Sequence, residues 1–297
     1  GHILATGFVS RSGGWVKRVP FPVRATEHRT AGKFFRAVSF FKFATKYRTD
    51  METIFKHRSI RRYKPDAIPE NILDRILEAA TRASTTGNMQ LYSIVVSTDP
   101  KVKQALSPCH FNQPMVTEAP VVMTFCADIH RFDLWCEQRG AEPGYDNFLW
   151  FVNGAIDALL ASQNAVLEAE THGLGICYLG TTTYTADKIV EILRLPKGVI
   201  PVTTVVMGYP TDCPPLTDRL PVEAVVHRDT YHDYTPEAID RLWAERENSD
   251  ETKRLLAENG LPNLARIFTE RRYRKEDNVQ FSRTYLDLLR KQGFMKQ

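Results

Sequence analysis

The sequence predicts a fold of interleaved α-helices and β-strands whose regular patterning begins near residue 51. Three observations carry it: an amphipathic stripe after Pro69, short runs rich in β-branched residues, and one long apolar segment at 148–171. The 297 residues, 43% apolar and 25% charged, suffice for one large core or two modest ones without metals or disulfides.

Residues 1–50 start with Gly, contain no Met and show no sustained period. They are expected to be an appendage outside the fold, upstream sequence joined to a start at Met51. A basic, acid-poor leader also fits an organelle targeting peptide or a tail for acidic partners. The segment takes ten of the chain's 39 Lys/Arg and two of its 35 Asp/Glu, leaving 29 against 33 in the remainder. A mildly acidic body argues against nucleic acid as a partner, because that binding needs a basic surface to neutralise phosphates.

Between Pro69 and Ala83, Ile72, Leu73, Ile76, Leu77, Ala80 and Ala83 share one helical stripe, and Pro69 suits a first turn. Ser93–Ser97 and Ala119–Ala127 are short and β-branched, as buried strands require. The segment Phe148–Thr171 is apolar on more than one stripe, so the helix should be buried on most sides, a second subunit being one source of cover. Gly173 suits its left-handed cap. Strands follow at 175–180 and 200–208, separated by a short helix at 187–193. Turns at 210–221 then lead into a polar tail whose clearest helix is Asn278–Arg290.

No apolar run reaches the ~18–20 residues of a membrane span. The five cysteines (109, 126, 136, 177, 213) form no Cys-x-x-Cys pair, which points to reduced thiols and a cytoplasmic setting. His110, His130, His172, His227 and His232 lack metal-ligand spacing, so no metal is expected. GLGICYLG fails as a dinucleotide fingerprint, because its glycines follow a helix and precede a strand.

His57-Arg58-Ser59-Ile60-Arg61-Arg62-Tyr63 gathers cations and a hydroxyl on one short stretch, which suits an anionic ligand. Taken with STTGNMQ at 84–90, Gln113 ahead of APVVMTFCAD, HGLGICYLG at 172–180, LPKGVIPVTTVVMGYP at 195–210 and PLTDRLP at 215–221, it resembles the nitroreductase family. The likeness is to the branch of oxygen-insensitive nitroreductases and NADPH-linked flavin reductases, and it runs from about Met51 to about Val226.

The resemblance implies an α+β fold, with a central, mostly antiparallel mixed sheet flanked by helices, in an intertwined homodimer. It implies a flavin domain over 51–297 with a helical excursion from about 228. It also implies bound FMN, NADPH or NADH as electron donor, and two-electron ping-pong transfer to nitroaromatics, quinones or flavins. A dedicated flavin reductase and a flavin-binding redox sensor without turnover are the rival readings.

Residue by residue, the resemblance assigns the FMN phosphate to His57, Arg58, Ser59 and Arg219. The family's usual lysine beside that arginine is replaced by Thr217. Arg61 falls where a cation faces the flavin pyrimidine, and a positive charge there eases hydride acceptance. Ser84, Thr85 and Thr86 are expected along the phosphate and ribityl chain, and Gln113 at the ring's carbonyl and imide edge. Tyr178, Leu179, Gly180 and Thr181 run past the ring, with a backbone N–H at Gly180 or Thr181 donating to N5. Arg61, Gly180 and Thr181 are thus the expected catalytic residues. Arg271, Arg272 and Arg274 suit either a nicotinamide 2′-phosphate or a solvated helix face.

Overall fold

The computed structural model of the protein describes residues 52–297. The expectations for residues 1–50 lie outside the described residues.

Helix α1 (Glu52–Lys56) leads into the 57–63 segment, and α2 (Glu70–Thr81) carries the stripe read from sequence, with Ile76 and Ala80 wholly buried. Strand β1 (Tyr92–Ser97), helices α3 (Pro100–Leu106) and α4 (Met115–Glu118), and strand β2 (Val121–Asp128) follow. Next come α5 (His130–Gln138), the long α6 (Phe148–Thr171), β3 (Gly175–Leu179), α7 (Ala186–Ile192) and β4 (Val199–Gly208).

The four strands form one sheet in the order β1-β2-β4-β3, every neighbouring pair antiparallel. A parallel bridge between Ser59 and Ile176 adds the mixed character expected of it. All of β2 is buried, because helices cover both faces of the sheet. Val121, Met123 and Phe125 face a core shared with α2 and α6, whereas Val122 faces a second core with Ile60, Tyr63, Leu106, Met115 and Ile189.

Within this one chain helix α6 is covered along one face, where its composition suggested burial on most sides with a second subunit as one source of cover. Gly154, Asp157, Ala158, Ala161, Ser162, Ala165, Val166 and Ala169 form its buried face. Phe148, Leu149, Ile156, Leu159 and Leu160 stand exposed. The small buried residues let the helix lie close on the sheet: a Cβ on Gly154 would come within 2.9 Å of the Leu91 carbonyl.

After Gly208 the chain makes α8 (Pro236–Glu247), α9 (Asp250–Asn259), α10 (Leu264–Ile267), a π-helical turn at Phe268–Arg272 and α11 (Lys275–Gln292). The excursion therefore ends by returning to the body. Leu288, Leu289 and Phe294 pack against Ala127, Ile129, Ala186 and Ile200. The Gln292 Nε2 donates to the Val199 carbonyl at 2.6 Å.

In α5 the Asp133 carboxyl carries a buried Oδ1 with no partner. Burial first, and then repulsion from Asp146 and Glu137, push its pKa from 3.8 up to about 6. An acid whose pKa is raised by folding stabilises least when ionised, so its contribution is fully present below 3.8 and lost as pH rises through about 6. Asp133→Asn is expected to raise the melting temperature at about pH 8 and to leave it unchanged at about pH 4. Thermal unfolding at the two pH values checks this; an equal shift at both would remove ionisation as its cause.

Candidate functional site

The 57–63 segment is pinned at alternate points. Ile60 donates its N–H to the Ile176 carbonyl at 2.8 Å, and Lys64 donates to Tyr209 at 2.8 Å. Ile60 and Tyr63 are buried anchors, while Arg61 and Arg62 between them are exposed. The close crossing over β3 requires Gly175, where a Cβ would meet Ile60 Cγ1 at 2.5 Å.

At the start of this segment His57 Nδ1 lies 2.7 Å from Glu170 Oε1 at the end of α6. Burial pushes the Glu170 carboxyl up, with His57 and then Arg58 pulling against it, and its Oε2 has no partner. Arg58 Nη1 donates to the Pro214 carbonyl and the Cys213 Sγ, both at 2.9 Å, so it ties the segment to the loop leading to Thr217 and Arg219. Burial pushes the Cys177 thiol up, partly offset by Arg61, which favours the protonated thiol.

The Ser84–Gln90 stretch is an irregular turn with Gly87, Asn88 and Gln90 at positive φ. Asp157, 1% exposed, organises it from α6: its Oδ1 accepts from Thr86 N at 3.0 Å and its Oδ2 from Leu91 N at 3.1 Å. These two bonds fix the backbone of the turn against the helix. Two further left-handed residues, Phe111 and Asn112, turn the chain between His110 and Gln113. As a result Gln113 Nε2 donates back to the His110 carbonyl at 3.0 Å.

Gln113 and Arg61 line one open cavity of about 650 Å³, together with Arg62, Tyr63, Met115 and Thr211. At the end of β3, Leu179 is buried and Gly180 exposed. Thr181 Oγ1 lies 2.8 Å from His110 Nδ1, and the Tyr178 hydroxyl lies 3.0 Å from Ser162 Oγ in α6.

The structure thus brings Arg61 to Gln113 at one cavity and joins Gln113 to Thr181 through His110. It ties the 57–59 segment to the 213–214 loop. Arg219 is exposed and folds onto its own loop, donating to the Asp218 and Thr217 carbonyls at 2.9 and 3.3 Å. Among the described residues no hydrogen bond links Arg219 to the 57–59 segment. Arg274 is bound to Asp277 at 2.8 and 3.0 Å, and Arg272 lies over the Phe268 ring.

Sequence reasoning passed over Asp157, Ser162, Glu170 and His110. The first two carried a usable signal, being polar residues at inward positions of an apolar helix. His110 carried none. No group of described His, Cys, Asp or Glu side chains forms a metal site. No described helix is long and apolar enough to cross a membrane.

Known proteins resemble this chain in sequence and in fold. The chain is 37% identical over 184 residues to an FMN reductase (NADPH) of Bacillus subtilis, a match covering 61% of this chain and 74% of that one. It is 34% identical over 181 residues to an oxygen-insensitive NADPH nitroreductase of Salmonella typhimurium, at the same two coverages. The crystal structure of an oxidoreductase from Bacteroides fragilis superposes with a TM-score of 0.81 at 50% identity, covering 82% of this chain and all of that one. An NADPH:FMN oxidoreductase from Vibrio harveyi, complexed with NAD+, gives 0.71 at 26% identity over 84% and 99% of the two chains. The sequence profile of the Nitroreductase family matches residues 54–209, more than half the chain, with the Thr217–Arg219 loop and the Arg271–Arg274 cluster outside the match. The chain belongs to the nitroreductase family.

Proposed function

We propose that this protein is an FMN-dependent NAD(P)H oxidoreductase that reduces nitroaromatics, quinones or flavins in two-electron steps. The observation that carries the reading is the single cavity shared by Arg61 and Gln113, with Thr181 joined to it through His110. The donor set fits the cofactor. A guanidinium, a carboxamide, hydroxyls and backbone N–H groups are what a flavin's phosphate, ribityl chain and pyrimidine edge demand, and the cavity volume lies within the usual range for such sites. The names of the relatives above support the same cofactor and donors.

Bound FMN would supply hydride transfer between NADPH or NADH and the electron acceptor. The residues bind and tune it. Arg61 sets a positive charge beside the pyrimidine edge, where negative charge develops on reduction. Gln113 offers an acceptor and a donor to the carbonyl and imide groups. The N–H of Gly180 or Thr181 donates at N5, and Tyr178 and Leu179 place that backbone beside the ring. Ser84, Thr85 and Thr86 line the ribityl and phosphate path. His57, Arg58, Ser59 and Arg219 would bind the phosphate, with the two arginines neutralising it, and Arg58 would meet part of the charge that a lysine at Thr217 would have supplied.

Residues 51–297 make up the flavin domain, with residues 1–50 outside it. The protein acts as a homodimer in the cytoplasm. The exposed Leu149, Ile156, Leu159 and Leu160 of α6 support the pairing, since an apolar helical face of that extent calls for a partner. Two of the similar proteins are named FMN reductases, which favours free flavin as one acceptor.

Mixing the purified protein anaerobically with NADPH or NADH should bleach its flavin before any acceptor is added. A yellow protein that oxidises nicotinamide no faster than free FMN would be the redox sensor instead.

A further inference from the structure

The His110 ring is 0% exposed and neutral, because burial alone pushes its pKa down to about 4. A neutral imidazole carries one N–H, and only one ring nitrogen has a partner: Nδ1 lies 2.8 Å from Thr181 Oγ1, while Nε2 is buried without one. Placing the proton on Nε2 would strand an N–H donor in a dry interior. Placing it on Nδ1 leaves only a lone pair unmet, and buried unmet donors are the rarer case in proteins. The Thr181 oxygen then accepts from His110, and its own proton points elsewhere. The His110 carbonyl takes the Gln113 Nε2, which leaves the Gln113 Oε1 and one N–H free for a ligand.

We infer that His110 is a positioning residue for the flavin, one that makes Thr181 a hydroxyl donor to an acceptor atom of the ring while its carbonyl orients the Gln113 carboxamide toward the same ring. The assignment rests on the FMN reading proposed above. It gives one buried side chain control over both segments that flank the ring, and the oxidised ring offers the acceptors such a donor needs.

The test uses the full chain, with FMN affinity read by flavin fluorescence and the tautomer read by 15N NMR of the imidazole. The wild type is expected to show a protonated Nδ1 and a bare Nε2 with no titration over about pH 6 to 8. Thr181→Val and His110→Leu should each raise the FMN dissociation constant about tenfold, the factor a lost buried hydrogen bond carries. The double variant should be no weaker than either single one, because both remove one relay. His110→Asn, which keeps a donor near the Nδ1 position, should bind within about threefold of wild type. If His110→Leu does not fold, Thr181→Val against Thr181→Ser, with His110→Asn, carries the comparison.

Additive losses, an Nε2–H tautomer, or unchanged affinity in Thr181→Val would overturn the relay. A wild type that holds the Nδ1–H tautomer yet binds no FMN would overturn the flavin reading, and the relay's role with it.

Discussion

Replacing Asp157 with alanine is expected to lower the unfolding free energy by about 2–6 kcal/mol, because it strands two backbone donors at about 1–3 kcal/mol each. Those donors are Thr86 N and Leu91 N, at 3.0 and 3.1 Å from the two carboxylate oxygens. The side chain is 1% exposed, so water cannot replace it without opening the packing of α6 on the Ser84–Gln90 turn. Asp157→Asn keeps one acceptor oxygen and should lose about half as much. Urea unfolding reads the effect as a lower midpoint at unchanged slope. A midpoint that did not move would mean that the turn finds other acceptors. The same variant should bind FMN poorly, since the Ser84, Thr85 and Thr86 hydroxyls lose their support.

Arg61→Ala should act in the opposite manner, with little effect on folding and a large one on chemistry. The side chain is exposed beside the cavity, so its loss should change stability by no more than about 0.5 kcal/mol. Loss of the charge facing the flavin should slow anaerobic flavin reduction by about 10²- to 10³-fold, the scale found when a preorganised charge-stabilising group is removed. Arg61→Lys retains the charge but not the planar fork, and should fall between. Stopped-flow reduction rates, taken with a denaturation curve for each variant, check both halves. Equal rates for wild type and Arg61→Ala would place the activating charge elsewhere.

The elements with strong periodicity were legible before any coordinates. The helix at 148–171 matches its predicted bounds, and the stripe of Ile76 and Ala80 is buried as read. Strand β2 was legible because apolar residues run along both of its faces. Short helices such as Pro100–Leu106 and His130–Gln138 were not, since seven to nine residues give few turns for a stripe to emerge, although the seven-residue helix at Ala186–Ile192 was read. The tail was read as polar, yet Leu288, Leu289 and Phe294 close one end of the core. Tyr285 and Met295 pack against the same cluster.

For the site, the family motifs pointed to the segments but not to what fixes them. His110 was invisible because its bond to Thr181 spans 71 residues, and no local pattern records such a pairing. Arg61 and Gln113 share a cavity only because two consecutive left-handed residues, Phe111 and Asn112, reverse the chain. Neither residue type announces that geometry.

Helix α6 is also a ruler. Its side chains at 157, 162 and 170 reach the Ser84–Gln90 turn, Tyr178 and His57 in that order. Thirteen residues at about 1.5 Å each set the outer two anchors about 20 Å apart along a rigid axis. The spacing between the Ser84–Gln90 turn and the His57 segment is therefore written in helical residues and not in loop length. Loops on either side can lengthen or change sequence without altering it. One residue inserted between Asp157 and Glu170 would turn one anchor about 100° away from its target and leave the other in place.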